Sequence, residues 1–189
     1  MNKDILICGV GGQGTVLASR IIAAAAMAEG NTVHSAETIG MAQRGGPVTS
    51  HIRIGEEVFS PLIPFGRADL MIGFEPSEAV RNIKYLSPGG AAVVNTCPVM
   101  PVDGDGYIAE DMTEYLKKHG GCIFANGTEE CKRLGSARFL NILLLGIAAG
   151  SGHLGLSKDT MMDEIAQRVP GKFREANIQA FLRGVELAG

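Results

Sequence analysis

The sequence predicts an α/β protein with three layers, in which helices cover both faces of a mainly parallel sheet. Three observations predict this architecture. A buried strand near the start runs into a glycine-rich turn and a helix, as in a Rossmann-like first βαβ unit. An alternating segment further on predicts an antiparallel hairpin. The C-terminal third is helical in pattern, and we expect residues 1–189 to form a single catalytic-type domain.

The first βαβ unit follows from local sequence signals. Residues 4–10 are an apolar run that ends in glycines, which is typical of a buried strand. Residues 15–30 are rich in alanine and aliphatic side chains and stop at Gly30-Asn31, so they predict a helix. Residues 32–37 predict a second strand. This order predicts a parallel pair with a right-handed crossover.

The hairpin is predicted after a long glycine-containing loop at residues 38–47. Residues 48–54 alternate, so that one side of a strand carries Val48, Ser50, Ile52 and Ile54. Gly55-Glu56-Glu57 predicts a turn, and Val58-Phe59 a second arm.

The remaining elements complete the sheet and its helical cover. Apolar runs predict strands at 68–75, 91–95 and 122–125. Helical patterns cover 76–86, 108–118, 133–149, 157–169 and 172–187.

Composition excludes several classes of function. The net charge is -3 and no Lys/Arg cluster stands out, which argues against nucleic-acid binding. The apolar run at 139–150 is interrupted by Asn141 and falls short of the about 20 residues that span a bilayer. With no signal-peptide pattern at the N-terminus, we expect a cytoplasmic protein that does not bind membranes. The four cysteines lack metal-site spacing, so we expect no metal on this chain.

The glycine turn is the first candidate site. Gly9, Gly11 and Gly14 spell G-x-G-x-x-G between a strand and a helix, where backbone N–H groups can approach an anion. The candidate cofactor-binding residues are Gly11, Gly12, Gln13, Gly14 and Thr15. Glu37 lies near the position at which an acidic residue meets an NAD ribose, which favours a dinucleotide. The other interpretation is a tight strand-to-helix turn without a ligand.

The loop that contains Gln43, Arg44, Gly45 and Gly46 is the second candidate, because long glycine-rich loops are often functional. Arg44 could hold a carboxylate or phosphate, dock a partner subunit, or be a solvated arginine at a loop tip. Glu75 ends a predicted buried strand, where ligands of α/β sheets bind, but it could equally satisfy a helix N-terminus.

The triplet Gly104-Asp105-Gly106 with Asn126 mimics a thiamine diphosphate signature. Its proline-rich context favours a plain turn. The four histidines are scattered and none receives a catalytic role, so the catalytic residues remain unknown from the sequence.

Longer segments carry a family resemblance. "ILICGVGGQGTVLASRII", "AETIGMAQRGGPVTSHIRIG" and "ADLMIGFEPSEAVRNIKYLSPGGAAVVNT" resemble the gamma-type subunits of 2-oxoacid:ferredoxin oxidoreductases, in particular the small (beta) subunits of the indolepyruvate branch. The resemblance is strongest over residues 5–96 and returns at "RFLNILLLGIAAGSG". The combination of G-G-Q-G with A-Q-R-G-G-x-V-x-S is much more specific than the glycine fingerprint alone.

The resemblance implies a holoenzyme that oxidatively decarboxylates an aryl 2-oxoacid such as indolepyruvate, with coenzyme A as co-substrate and ferredoxin as electron acceptor. Thiamine diphosphate, Mg²⁺ and iron–sulfur clusters would belong to the large partner subunit. This chain would carry no cofactor and would be inactive alone, and a homodimer of the isolated chain is left open.

We expect the two loops to meet at the carboxyl ends of the first strands and face the partner. The residues of this substrate- or partner-facing group are Gln43, Arg44, Gly45, Gly46, Ser50 and Glu75. Two alternative functions are left open. The chain could be a free-standing nucleotide- or NAD(P)-binding protein, or a purely structural interaction module.

Overall fold

The computed structural model describes residues 1–40, 45–100 and 107–189. Its centre is a six-stranded sheet in the order β2-β3-β1-β4-β5-β6. Every strand except β3 runs in the same direction, so the sheet is mainly parallel, as predicted. The strands are β1 (Lys3–Val10), β2 (Val33–Ile39), β3 (Pro47–Ile54), β4 (Ala68–Gly73), β5 (Leu86–Asn95) and β6 (Cys122–Ala125).

Strand β1 lies in the middle of the sheet because both of its faces are apolar. Ile5 and Ile7 face one core, Leu6 and Cys8 face the other, and all four are fully buried. A strand that is apolar on both faces needs cover on both sides of the sheet. This arrangement fixes the three-layer architecture.

Seven helices surround the sheet within the described residues. They are α1 (Thr15–Ala28), α2 (Pro76–Asn82), α3 (Ala109–Lys117), α4 (Gly127–Arg133), α5 (Leu140–Gly150), α6 (Lys158–Arg168) and α7 (Arg174–Leu187). Helices α1, α5, α6 and α7 build the larger core on one face. Helices α2 and α3, together with Ile63, cover the other face of the sheet.

The first strand pair differs from the prediction. β1 and β2 run in the same direction, but β3 lies between them and pairs antiparallel with both. The predicted direct parallel pair is therefore wrong. The predicted second hairpin arm is also wrong, because Val58 and Phe59 form no strand and β3 takes β2 as its hairpin partner. The alternation within β3 does hold, with Val48, Ser50, Ile52 and Ile54 all buried.

The predicted helix over 133–149 is interrupted. α4 ends at Arg133, Gly135 takes a positive φ of 97°, and a short 3-10 turn at Ala137–Phe139 precedes α5. Glycine adopts this left-handed backbone without a steric penalty and commonly ends helices. The helix predicted over 76–86 likewise ends early, since Leu86 already belongs to β5.

Helices α5 and α7 cross at unusually short distance. A methyl group added to Gly146 would lie 2.1 Å from the Phe181 carbonyl oxygen, and one added to Gly184 would lie 2.2 Å from the Leu143 carbonyl oxygen. Both glycines are therefore required by backbone proximity, and not by a special φ. The crossing anchors α5, whose N-terminal end lies beside the glycine turn.

No helix in the described ranges is long and apolar enough to cross a membrane.

Candidate functional site

The carboxyl edge of the sheet brings several predicted residues together. β1, β4, β5 and β6 all run toward this edge, and each is followed there by a turn or a helix. Open α/β sheets bind ligands at this edge because side chains and helix N-termini converge there. The candidate site is built at this edge from the glycine turn, the residues after β4 and β5, and the start of α5.

The glycine turn uses its glycines for two different reasons. Gly12 and Gly14 have φ values of 99° and 84°, which favour glycine. Gly9 is needed for space, since a methyl group there would lie 2.8 Å from Phe74 Cβ. The turn ends at Thr15, the buried first residue of α1.

The two predicted loops do meet. The Gly11 amide donates a hydrogen bond to the Gly46 carbonyl at 2.8 Å, and the Gly45 amide donates to the Gly11 carbonyl at 3.5 Å. Gln43 and Arg44 lie outside the described residues. The contact nevertheless places the end of the second loop against the glycine turn.

The start of α1 offers donors for an anion. Its first intrahelical bond runs from the Ala18 amide to the Gly14 carbonyl, so the amides of the first turn have no partner within the helix. That turn contains no acidic residue. Free N–H groups and the helix dipole together favour a phosphate or carboxylate at this position.

Asn141 faces the same turn and was not identified as a site residue from the sequence. It is 5% exposed, and its Nδ2 atom would lie 2.8 Å from a methyl group at Gly14. Its Oδ1 atom accepts from the Ile142 amide at 3.0 Å, whereas Nδ2 has no acceptor among the described residues. The available signal was a single amide in the apolar helix "LNILLLGIAAG".

Gln13 positions the turn instead of pointing outward. Its Oε1 atom accepts from the Val10 amide at 2.9 Å, and its Nε2 atom donates to the Phe74 carbonyl at 3.1 Å. The fully buried Asn95 also donates to that carbonyl at 3.1 Å and accepts from the Gly127 amide at 3.0 Å. One carbonyl therefore ties the ends of β1, β4 and β5 together.

Glu75 caps the N-terminus of α2, which is one of the two roles that the sequence predicts for it. It is 1% exposed, and Oε2 accepts from the Glu78 amide at 3.0 Å and the Ser77 hydroxyl at 2.6 Å. The Tyr107 hydroxyl donates to Oε1 at 2.5 Å. Burial and this hydrogen bond raise the pKa of Tyr107. The carboxylate is thus satisfied inside the chain, and no sequence signal identified Tyr107.

Ser50 does not lie in a loop. It lies within β3, opposite Ile7 and Glu37, and it is fully buried. Its hydroxyl oxygen has no hydrogen-bond partner among the described residues. The prediction that Ser50 lies on a partner-facing surface is therefore wrong for this chain. The alternation of β3 turns the Ser50 side chain toward the core that contains Ile52 and Ile54.

Glu37 is poorly placed for a dinucleotide. Its carboxylate accepts from the Ser19 hydroxyl of α1 at 3.0 Å. Because β3 separates β2 from β1, Glu37 lies one strand further from the glycine turn than the acidic residue of a dinucleotide fold. The geometry disfavours NAD at this edge.

Among the described residues, no group of three or more His, Cys, Asp or Glu side chains could hold a metal ion. All four cysteines are free. Burial raises the pKa of Cys8 and raises that of Cys131 to about 12, which keeps both thiols protonated. The triplet at 104–106 lies outside the described ranges.

Comparison with known proteins gives a consistent result. The chain matches the pyruvate ferredoxin/flavodoxin oxidoreductase family over residues 4–187. It is 36% identical to the indolepyruvate oxidoreductase subunit IorB of Archaeoglobus fulgidus over 100% of this chain and 96% of that protein. It is 35% identical to subunit IorB of Methanothermobacter thermautotrophicus, over 97% of this chain and 96% of that one.

Solved structures extend the likeness to the fold. The gamma subunit of a keto/oxoacid ferredoxin oxidoreductase from Geobacter sulfurreducens superposes with a TM-score of 0.73 at 25% identity, covering 98% of both chains. The 2-oxoglutarate:ferredoxin oxidoreductase of Magnetococcus marinus, solved with coenzyme A bound, shares the fold with a TM-score of 0.77 at 21% identity. This chain matches 31% of that longer polypeptide. The protein therefore belongs to the pyruvate ferredoxin/flavodoxin oxidoreductase family, among the gamma-type small subunits of 2-oxoacid:ferredoxin oxidoreductases.

Proposed function

We propose that this chain is the small subunit of an enzyme that oxidatively decarboxylates an aryl 2-oxoacid, with indolepyruvate as the leading candidate. The carbon–carbon bond to the carboxylate breaks and CO2 leaves. The acyl group forms a thioester with coenzyme A, and ferredoxin accepts the released electron pair. The full-length similarity to proteins named as indolepyruvate oxidoreductase subunits supports this substrate.

In this proposal the cofactors reside on the large partner subunit, which holds thiamine diphosphate, Mg²⁺ and the iron–sulfur clusters. This chain supplies a wall of the shared catalytic site and does not turn over alone. The similar Magnetococcus marinus enzyme was solved with coenzyme A bound, which supports coenzyme A as the co-substrate.

The observation that carries the proposal for this chain is the set of hydrogen-bond donors at the start of α1. The amides of the first helical turn have no partner within the helix, the buried Asn141 side chain lies against Gly14, and that turn contains no acidic residue. A phosphate group fits these donors. We propose that a phosphate of coenzyme A binds here, with Gln13 holding the turn in shape.

Arg44 directly precedes Gly45, whose amide bonds to Gly11. We propose that Arg44 contributes a cation to the same edge, toward the substrate, the coenzyme or the partner subunit. Replacing it with alanine should lower turnover, assembly or both in the reconstituted enzyme. Wild-type values for both would remove Arg44 from the proposal.

The function is tested by reconstitution with the large subunit from the same organism. We expect ferredoxin reduction that needs both chains, coenzyme A and a 2-oxoacid, with indolepyruvate used more efficiently than pyruvate. A complex without activity on any 2-oxoacid would contradict the proposal. A thermal-shift panel with NAD, NADP, FAD and ATP tests the alternative: a marked stabilisation of the isolated chain by any of these would favour a free-standing nucleotide-binding protein.

A further inference from the structure

The sequence contains one asparagine that is followed directly by glycine, Asn126-Gly127, at the carboxyl end of β6. Asparagine is a thermolabile residue, and a following glycine has no side chain to hinder attack by its own backbone nitrogen on the asparagine amide. Asn126 is exposed and caps α4, where its Oδ1 atom accepts from the Glu129 amide at 3.1 Å. The cap explains why an asparagine stands here.

Packing favours the glycine of the pair. Gly127 is buried, and a methyl group added to it would lie 2.8 Å from Leu140 Cδ1 and 3.3 Å from Leu143 Cδ2. Its φ is not positive, so space and not backbone shape selects glycine. A larger residue would have to displace both leucines of α5. The cap and the packing together therefore place a chemically labile pair at this position.

The reaction of such a pair is deamidation. The Gly127 backbone nitrogen attacks Asn126 Cγ, so that a bond from this nitrogen to Cγ forms, the Cγ–Nδ2 bond breaks and ammonia leaves with the amide proton. Water then opens the five-membered succinimide at one of its two carbonyls, which gives aspartate or isoaspartate. The sum is hydrolysis of an amide to a carboxylic acid and ammonia, and nothing is oxidised or reduced.

The fold opposes the first step in two ways. Ring closure needs the Gly127 nitrogen and Asn126 Cβ on the same side of the Asn126 Cα–C bond, whereas the ψ of 68° places them on opposite sides. In addition, the Gly127 amide donates a buried hydrogen bond to Asn95 Oδ1 at 3.0 Å. Asn95 is itself fully buried and donates to the Phe74 carbonyl at 3.1 Å. Attack therefore requires local opening of this bond.

We propose that Asn126 is a site of slow deamidation, and that Asn95 sets its rate by holding the Gly127 nitrogen away from the Asn126 side chain. The isoaspartate product has one more methylene in the main chain, which displaces Gly127 from Asn95. Because the Phe74 carbonyl accepts from both Asn95 and Gln13, the modification acts on the carboxyl edge that carries the candidate site. The proposal does not depend on which ligand that edge binds.

The test follows deamidation at Asn126 in the isolated chain at mildly alkaline pH. Peptide mass spectrometry measures the rate, and chromatography separates aspartate from isoaspartate. In the folded wild type we expect a rate at least about tenfold below that of the chain unfolded in guanidinium chloride. Folded Asn95→Ala, which leaves the Gly127 amide without its acceptor, should react at least about threefold faster than the wild type.

Val94→Ala is the matched control, because Val94 is the neighbouring residue of β5, is fully buried and makes no bond to Gly127. It should react more slowly than Asn95→Ala. Equal rates in the two variants would assign the effect to lost stability and overturn the role of Asn95. Equal rates in the folded and the unfolded wild type would overturn the whole proposal.

A second measurement decides the matter if Asn95→Ala does not fold. Hydrogen exchange of the Gly127 amide in the wild type reports directly on opening of the bond to Asn95. Exchange much slower than in an unstructured peptide supports the proposal. Exchange at the rate of an unstructured peptide overturns it.

Discussion

The glycine turn and the α5–α7 crossing both depend on glycine, for opposite reasons. Among the described residues nothing lies within 4 Å of a methyl group added to Gly12, but its φ of 99° is unfavourable for other residues. Gly146 has no positive φ, but a methyl group there would overlap the backbone of α7. In the turn glycine permits a backbone shape that exposes amides; at the crossing it permits close packing. The first use serves the proposed anion site and the second serves the scaffold.

The largest effect is expected at the crossing. Gly146→Ala or Gly184→Ala should lower the free energy of unfolding by about 3 kcal/mol or more, because the nearest atoms belong to backbone that cannot move aside. Urea denaturation measures this change. Gly171→Ala is the control: no described residue lies within 4 Å of the added methyl group and Gly171 has no positive φ, so we expect a change within about 0.5 kcal/mol. Equal effects at Gly146 and Gly171 would show that the helices do not cross as described.

A smaller effect is expected in the turn. Gly12→Ala should cost about 1–2 kcal/mol from backbone strain alone. Gly14→Ala should cost more, because its methyl group would also meet the Asn141 amide at 2.8 Å. Denaturation of Gly14→Ala with and without Asn141→Ala isolates that contact. If removing Asn141 does not reduce the excess cost, Asn141 does not pack against the turn.

Local signals in the sequence predict much of this fold correctly. β6 was placed at its observed bounds, and the glycine turn was placed between β1 and α1, because apolar runs and glycines act over a few residues. The position of β3 between β1 and β2 was missed because strand pairing is non-local. Val48, Ser50, Ile52 and Ile54 identify a buried face but not the neighbouring strand.

The site was predicted less completely than the fold. The meeting of the two glycine loops was expected and is observed at Gly11 and Gly46. Tyr107 and Asn141 were missed as site residues because each reaches its partner only through the tertiary fold, across 32 residues for Tyr107 and Glu75. Gln13 was expected at a ligand, yet its two side-chain bonds go to backbone.

The smallest expected effect is on the pH dependence of folding stability. Neither the glycine turn nor the α5–α7 crossing should contribute to it directly. The turn is held by Gln13, whose partner carbonyl at Phe74 also accepts from Asn95, and Asn141 lies against it; none of these amide side chains titrates. His51 does titrate, and burial lowers its pKa below the ordinary 6.5. The folded chain then binds fewer protons at His51 than the unfolded chain. Stability from this group is complete above pH 6.5 and is lost as pH falls through the folded pKa.

The variant His51→Asn keeps an acceptor for the Ile63 amide and removes the titration. We expect its unfolding free energy to fall less than that of the wild type between pH 7 and pH 5. Burial raises the pKa of Glu78, so the pH dependence that Glu78 adds to stability is opposite in sign to that of His51. Because Glu78 is present in both proteins, its contribution cancels in the comparison. Gly14→Ala should follow the wild-type pH profile. Identical profiles for His51→Asn and the wild type would contradict the role of His51.

We propose that the carboxyl edge holds an anion of the shared reaction, whereas the α5–α7 crossing belongs to the scaffold. The most direct measurement is the KM for coenzyme A of the reconstituted enzyme that carries Asn141→Asp, which places a carboxylate beside the free amides of α1. We predict a rise of at least about tenfold. Asn177→Asp, at a buried asparagine of α7, should lower stability without changing this KM. An unchanged KM for coenzyme A in the Asn141→Asp enzyme would contradict the account.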